Sequence, residues 1–247
     1  MNIKLIEKRV KELLAKDQTG HGFDHIKRVR RMAVNFAKDL TKDGKVVDLE
    51  VVEIAALLHD VDDYKLVGKA AAETLENARR IMFEAGCNER VQKHVIEIIQ
   101  NMGYSKALEG IRPVSLEGKI VSDADLCDAI GATGIIRSYQ YAMEKAFRKG
   151  LNTRIGEKGS VIFDPSVKPN IAISYSEYTN DDSKTDSFIN HFFEKLLFVP
   201  KFCMTSVAKR EAKFRFEAMI IFLHNFFEEG GYSDWSDYLE DHLKTLA

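Results

Sequence analysis

The chain has 247 residues, 45% of them apolar and 30% charged, and a formal net charge of −2. That length is enough to bury a sizeable core, and the composition is that of an ordinary globular protein. Neither sign of charge dominates, so no broad field gathers nucleic acid or an anionic membrane, and neither is expected as a partner.

Cys87, Cys127 and Cys203 are scattered without paired spacing, which reads as reduced thiols. The opening stretch "MNIKLIEKRVKELLAK" is amphipathic and charged, unlike a signal peptide. The late apolar run "MIIFLHNFF" (219–227) is too short to span a bilayer. The expected location is cytoplasmic.

Helical spacing of apolar residues predicts helix after helix. Ile3, Ile6, Val10, Leu13 and Leu14 line a first, and Ile26, Val29, Met32, Ala33 and Phe36 a second. Val51, Val52, Ala55, Leu58 and His59 mark a third, and residues 69–85 a fourth, stopped by Gly86. Asn88 is placed to cap a fifth, "ERVQKHVIEIIQNM". Ser115 begins a sixth, residues 132–149 form a seventh ended by Gly150, and further helices cover 185–198, 205–229 and "SDWSDYLEDHLKTL". Strand alternation is nearly absent, so the expected class is all-α. Residues 151–183 lack helical period and carry two prolines; a loop that long is either functional or a disordered insertion. With no linker and no repeat, the chain reads as one domain, 1–247.

The stretch "AALLHDVDDYK" (55–65) sets His59, Asp60, Asp62 and Asp63 at the end of an apolar run. His25 opens the second helix, and Asp123 and Asp125 sit where the sixth turns polar. Imidazole nitrogen with carboxylate oxygen suits a divalent ion such as Mn, Mg, Fe, Ni, Co or Zn. Without such a charge, buried aspartates are expensive. His21 and His25 lie one turn apart, but Gly22 stands where a zinc-protease helix needs glutamate. His94 and His224 read as caps or surface groups, and Asp181, Asp182, Glu228 and Glu229 as solvated acids. Asp123 and Asp125 point about 200° apart on a helix, so one ion cannot take both, and periodicity does not choose between them.

The order His25, His59-Asp60, Asp125 resembles the H…HD…D pattern of the HD-domain metal-dependent phosphohydrolases. "HGFDHIKRV" is similar to that family's H-D-x-x-H-x-x-R-V opening, with Gly22 where aspartate is common, and "LLHDVDDYK" to its L-H-D-x-x-D-x-K. "DADLCDAIGATGIIR" and "INHFFEKLL" are similar to segments of the bacterial subgroup that includes the YpgQ-type nucleotide pyrophosphohydrolases. The likeness covers 20–149 and 185–229 and fits 151–183 poorly.

The resemblance implies a helical domain holding one divalent ion through His25, His59, Asp60 and Asp125. It puts the last ligand on Asp125 and leaves Asp123 as an outer or helix-surface acid. Asp63, one turn beyond Asp60, matches the subgroup's second acid and is the candidate to orient or deprotonate water. Arg28, Lys65, Arg137 and Lys195 are candidate phosphate donors, with Gly131 and Gly134 allowing close approach. Asp128 is a candidate partner that orients a ligand or an arginine. The implied reaction is metal-dependent hydrolysis of a phosphoanhydride or phosphoester in a small phosphorylated metabolite, with a nucleoside tri- or diphosphate leading. A nucleoside 5′-monophosphatase or phosphodiesterase is the rival enzyme, and a non-turning-over nucleotide- or metal-binding module the rival from another class.

Overall fold

A computed structural model describes residues 1–15, 22–171, 185 and 187–246, without the side chains of Tyr64, Lys65 and Lys69. His21, Asp181 and Asp182 lie outside the described residues. No strand occurs among the described residues, and the fold is all-α. No helix among them is long and apolar enough to cross a membrane.

Backbone contacts group the chain into two compact units. The first is Met1–Asp128 with Met204–Ala208, and the second is Ala129–Cys203 with Lys209–Ala247. The first unit holds α1 (Ile3–Leu13), α2 (Phe23–Lys42), α3 (Leu49–Leu58), α4 (Tyr64–Val67), α5 (Lys69–Thr74), α6 (Glu76–Glu84), α7 (Glu89–Asn101), α8 (Tyr104–Leu108) and α9 (Leu116–Asp128). Its centre is α3, whose Val51, Val52 and Ile54 through Leu58 are all buried. A helix apolar on every side belongs inside a core, and α1, α2, α7 and α9 all pack on it. The α2 and α9 helices also pack on each other, so three helices meet pairwise.

Local signals set most boundaries. Asn88 caps α7 by accepting from the Val91 amide at 3.0 Å, as its sequence position predicts. The expected helix over 69–85 is instead two. Leu75 takes a left-handed conformation, φ 53°, and breaks it. The new N-terminus of α6 is satisfied from a distance: the buried Asp62 carboxylate accepts from the Asn77 and Ala78 amides at 3.0 and 2.8 Å. Sequence periodicity carries no trace of such a remote cap, nor of the short α4 and α8.

The second unit holds α10 (Gly131–Lys149), α11 (Phe188–Glu194), a 3-10 segment (Leu196–Phe202), most of α12 (Ser206–Glu229) and α13 (Ser233–Leu246). The helix expected over 185–198 ends early at Glu194, because Lys195 turns to φ −146° and the tighter 3-10 segment follows. Residues 151–171 have no regular structure, yet Val161, Ile162 and Phe163 are buried. Their carbonyls at 161 and 162 accept from the Phe188 and Ile189 amides at 2.7 and 3.1 Å. Phe163 sits edge-on against Phe226, Tyr232 and Trp235, so this part of the expected loop is core, not an insertion.

His242 is buried against Phe193, Phe198 and Tyr238, and its Nε2 has no hydrogen-bond partner among the described residues. Burial, and then the Lys201 ammonium, hold its pKa below 6.5. Above that value both the folded and unfolded states carry it neutral. As pH falls below it, the unfolded chain takes up a proton that the folded chain refuses, and stability drops. Melting temperature should therefore fall more between pH 7 and pH 5 in the wild type than in His242→Gln. Parallel profiles in thermal unfolding would refute this.

Candidate metal centre

Three helix ends in the first unit build the site. His25 lies in the first turn of α2, with its amide donating to the Gly22 carbonyl at 2.9 Å. His59 is the residue that ends α3, and its Nδ1 lies 3.0 Å from the Ala56 carbonyl. A carbonyl only accepts, so Nδ1 carries the proton and the ring caps the helix from which it springs. Asp125 and Asp128 occupy the last turn of α9. Mutual packing of α2, α3 and α9 brings these ends together.

The two imidazoles meet with Nε2 atoms 3.1 Å apart and rings at 70°. His25 Nδ1 faces an Asp128 carboxylate oxygen at 2.7 Å, again an acceptor. With both Nδ1 positions donating, both Nε2 atoms point at the same place, left to share whatever cation sits there. An Asp60 oxygen lies 3.3 Å from His25 Nε2 and 3.5 Å from His59 Nε2. An Asp125 oxygen lies 3.5 and 3.7 Å from the same two atoms. Donor atoms of His25, His59 and Asp60 fall within 4.8 Å of one another. Two facing ring nitrogens flanked by two carboxylates call for positive charge among them, a proton or a metal ion, and this mixed nitrogen and oxygen set fits a divalent ion.

The electrostatics agree. Burial opposes charge on His59, but Asp60 and Asp125 outweigh it and raise its pKa to about 9. Burial likewise opposes charge on Asp125, yet the hydrogen bond and charge of His59 hold its carboxyl below the usual range. The side chains of both histidines are about 1% exposed, whereas those of Asp60 and Asp125 are 17% and 26% exposed. Access from solvent therefore lies on the carboxylate side.

Other sequence candidates fall differently. Arg28 pairs with Asp128 through two hydrogen bonds, Nε at 2.8 Å and Nη2 at 3.0 Å. Asp63 is half-buried in the turn after α3, its amide donating to the Asp60 carbonyl at 3.1 Å. The Lys65 side chain lies outside the described residues. Arg137 in α10 and Lys195 at the end of α11 belong to the second unit. Gly131 and Gly134 there admit protein, since a Cβ would meet Arg215 side-chain carbons at 2.9 Å and the Ala129 carbonyl oxygen at 2.3 Å. His94 lies 3.9 Å from Glu117, and His224 is 3.2 Å from Glu240 near the surface.

Asp123 is not a helix-surface acid. It is fully buried, and it accepts from the Met204 amide at 2.8 Å and from the Thr205 amide and hydroxyl, both at 2.7 Å. Burial pushes its carboxyl above the usual range despite those bonds. The two-residue spacing explains the division: Asp125 turns toward the histidines and Asp123 toward the segment that leads into α12.

Comparison with known proteins follows this geometry. Residues 22–130 match the model of the HD domain. Over 215 residues the chain is 29% identical to YpgQ of Bacillus subtilis (strain 168), spanning 87% of this chain and 86% of that one. An HD-superfamily hydrolase from Bacillus thuringiensis has a solved structure that superposes with a TM-score of 0.64 at 30% identity, covering 93% of this chain and 96% of that one. The structure of Bacillus subtilis YpgQ in complex with ADP superposes with a TM-score of 0.64 at 26% identity, covering 92% and 97%. The matched domain carries all of His25, His59, Asp60 and Asp125, and by this likeness the chain belongs to the HD superfamily of hydrolases.

Proposed function

We propose that this chain is a divalent-metal-dependent phosphohydrolase that cleaves a phosphoanhydride or phosphoester bond in a small phosphorylated metabolite, with a nucleoside tri- or diphosphate as substrate. The observation that carries the reading is the pair of imidazole Nε2 atoms 3.1 Å apart, flanked by the Asp60 and Asp125 carboxylates. The ADP bound to the related YpgQ supports the nucleotide class.

His25, His59, Asp60 and Asp125 would hold the ion, which would supply Lewis-acid charge against phosphate oxygens and make water more acidic. Asp63 would orient the attacking water or accept its proton. The more exposed edges of Asp60 and Asp125 leave the approach to the site open to solvent and substrate.

The metal-free protein should be inert, and adding Mn²⁺ should restore cleavage of nucleoside tri- or diphosphates, with products identified by ³¹P NMR. Turnover confined to monophosphates or diesters would replace the substrate assignment. Stoichiometric metal and nucleotide binding without any cleavage would make the chain a binding module.

Asp125→Asn and Asp123→Asn separate two adjacent acids. The first should lose metal on titration while keeping its fold. The second should keep metal but lose about 1–3 kcal/mol of stability, the usual cost of impairing a buried hydrogen-bonded group. An exchange of these phenotypes would reverse the two roles.

Asp63→Asn should retain metal and lose roughly 10²- to 10⁴-fold in turnover, the span for a general acid or base. Wild-type kcat in this variant would remove Asp63 from the chemistry.

Metal binding must displace the proton that His59 holds up to about pH 9. Affinity should therefore rise with pH, by at most about tenfold per unit for one proton, and level off near pH 9. A flat profile between pH 6.5 and pH 9 in metal titrations would contradict this.

A further inference from the structure

Asp128 does more than accept one bond. Its carboxylate is fully buried. One oxygen takes His25 Nδ1 at 2.7 Å and Arg28 Nη2 at 3.0 Å, and the other takes Arg28 Nε at 2.8 Å. His25 and Arg28 stand three residues apart on one face of α2, so a single carboxylate on α9 grips both. The Arg28 side chain is 26% exposed, and its Nη1 has no hydrogen-bond partner among the described residues.

We propose that Asp128 is a positioning residue with two linked tasks. It fixes the His25 tautomer, proton on Nδ1, so that the Nε2 lone pair is available to the ion. It also clamps the Arg28 fork by two of its nitrogens and leaves the third, Nη1, to donate to a phosphate oxygen of the substrate. The inference rests on the metal reading given above, and it ties metal affinity and phosphate recognition to one buried group.

Removing the acceptor makes this testable. An asparagine could still place its oxygen where His25 Nδ1 and Arg28 Nη2 converge, so the informative variant is Asp128→Leu, which has no acceptor. Nothing then holds the proton on His25 Nδ1, and the Asp60 and Asp125 carboxylates, 3.3 and 3.5 Å from Nε2, draw it there. On Nε2 it blocks the ligand lone pair.

The experiment combines ¹⁵N NMR of the histidine rings in the metal-free protein at alkaline pH with Mn²⁺ titration followed by EPR. The His25 ring signals are identified by their loss in His25→Gln. Wild-type His25 should carry its proton on Nδ1. Asp128→Leu should carry it on Nε2 and bind Mn²⁺ roughly 10- to 100-fold more weakly, the usual effect of losing such a partner. Arg28→Lys, which keeps the charge and loses the fork, should keep the Nδ1 tautomer and near-normal Mn²⁺ affinity while raising KM for nucleotide more than it lowers kcat.

Should Asp128→Leu fail to fold, the wild-type tautomer and the Arg28→Lys variant still decide. A wild-type His25 protonated on Nε2, or an Asp128→Leu with unchanged tautomer and Mn²⁺ affinity, overturns this inference alone. A lowered kcat at constant KM in Arg28→Lys overturns the phosphate role. A wild type that binds no Mn²⁺ overturns the metal reading and this inference with it.

Discussion

Two imidazole nitrogens that face each other with their opposite nitrogens already engaged define this molecule. The two Nδ1 protons are donated to the Ala56 carbonyl and the Asp128 carboxylate, and what remains is a 3.1 Å gap between the two Nε2 atoms. The surrounding fold adds negative character to that gap. Both α3 and α9 end there, and a helix C-terminus carries partial negative charge. Asp60, Asp125 and Asp128 add carboxylates to the same place. Arg28 offsets one of them. The balance favours a cation, and His59 answers in part by holding a proton to about pH 9.

Four buried or half-buried acids that a reader of the sequence would group together serve three different ends. Asp60 and Asp125 face the histidines. Asp62 caps α6, and Asp123 fastens the segment at 204–205. Carboxylates are interchangeable in composition, but each is committed by the amides and rings it meets. The amides that commit Asp62 and Asp123 lie fifteen to more than eighty residues away along the chain, beyond the reach of periodicity.

That distance marks the limit of what was legible. The helices of the first unit follow from apolar spacing, and the Asn88 cap follows from a local pattern. The four candidate ligands follow from their order and its likeness to a known family. The break at Leu75 was hidden because its cap comes from Asp62, and the packing of Phe163 because its partners are aromatic rings some sixty to seventy residues onward. Arg28 was readable as a cation near the site and Asp128 as a partner for a ligand or an arginine, but that Asp128 grips His25 and Arg28 together was not, since that depends on α2 and α9 lying side by side.

Asp123 has a consequence for how the chain is made. Among the described residues its buried carboxylate accepts hydrogen bonds from Met204 and Thr205, which belong with the first unit although residues 129–203 belong to the second. On the ribosome, everything needed for the three helix ends has emerged by Asp128, but the partner of Asp123 has not. The first unit must wait, with an unsatisfied acid in its core, until the whole intervening segment has been synthesised and its far end returns. A nascent chain arrested between these points would carry the complete set of metal-facing side chains on a scaffold still open at one seam.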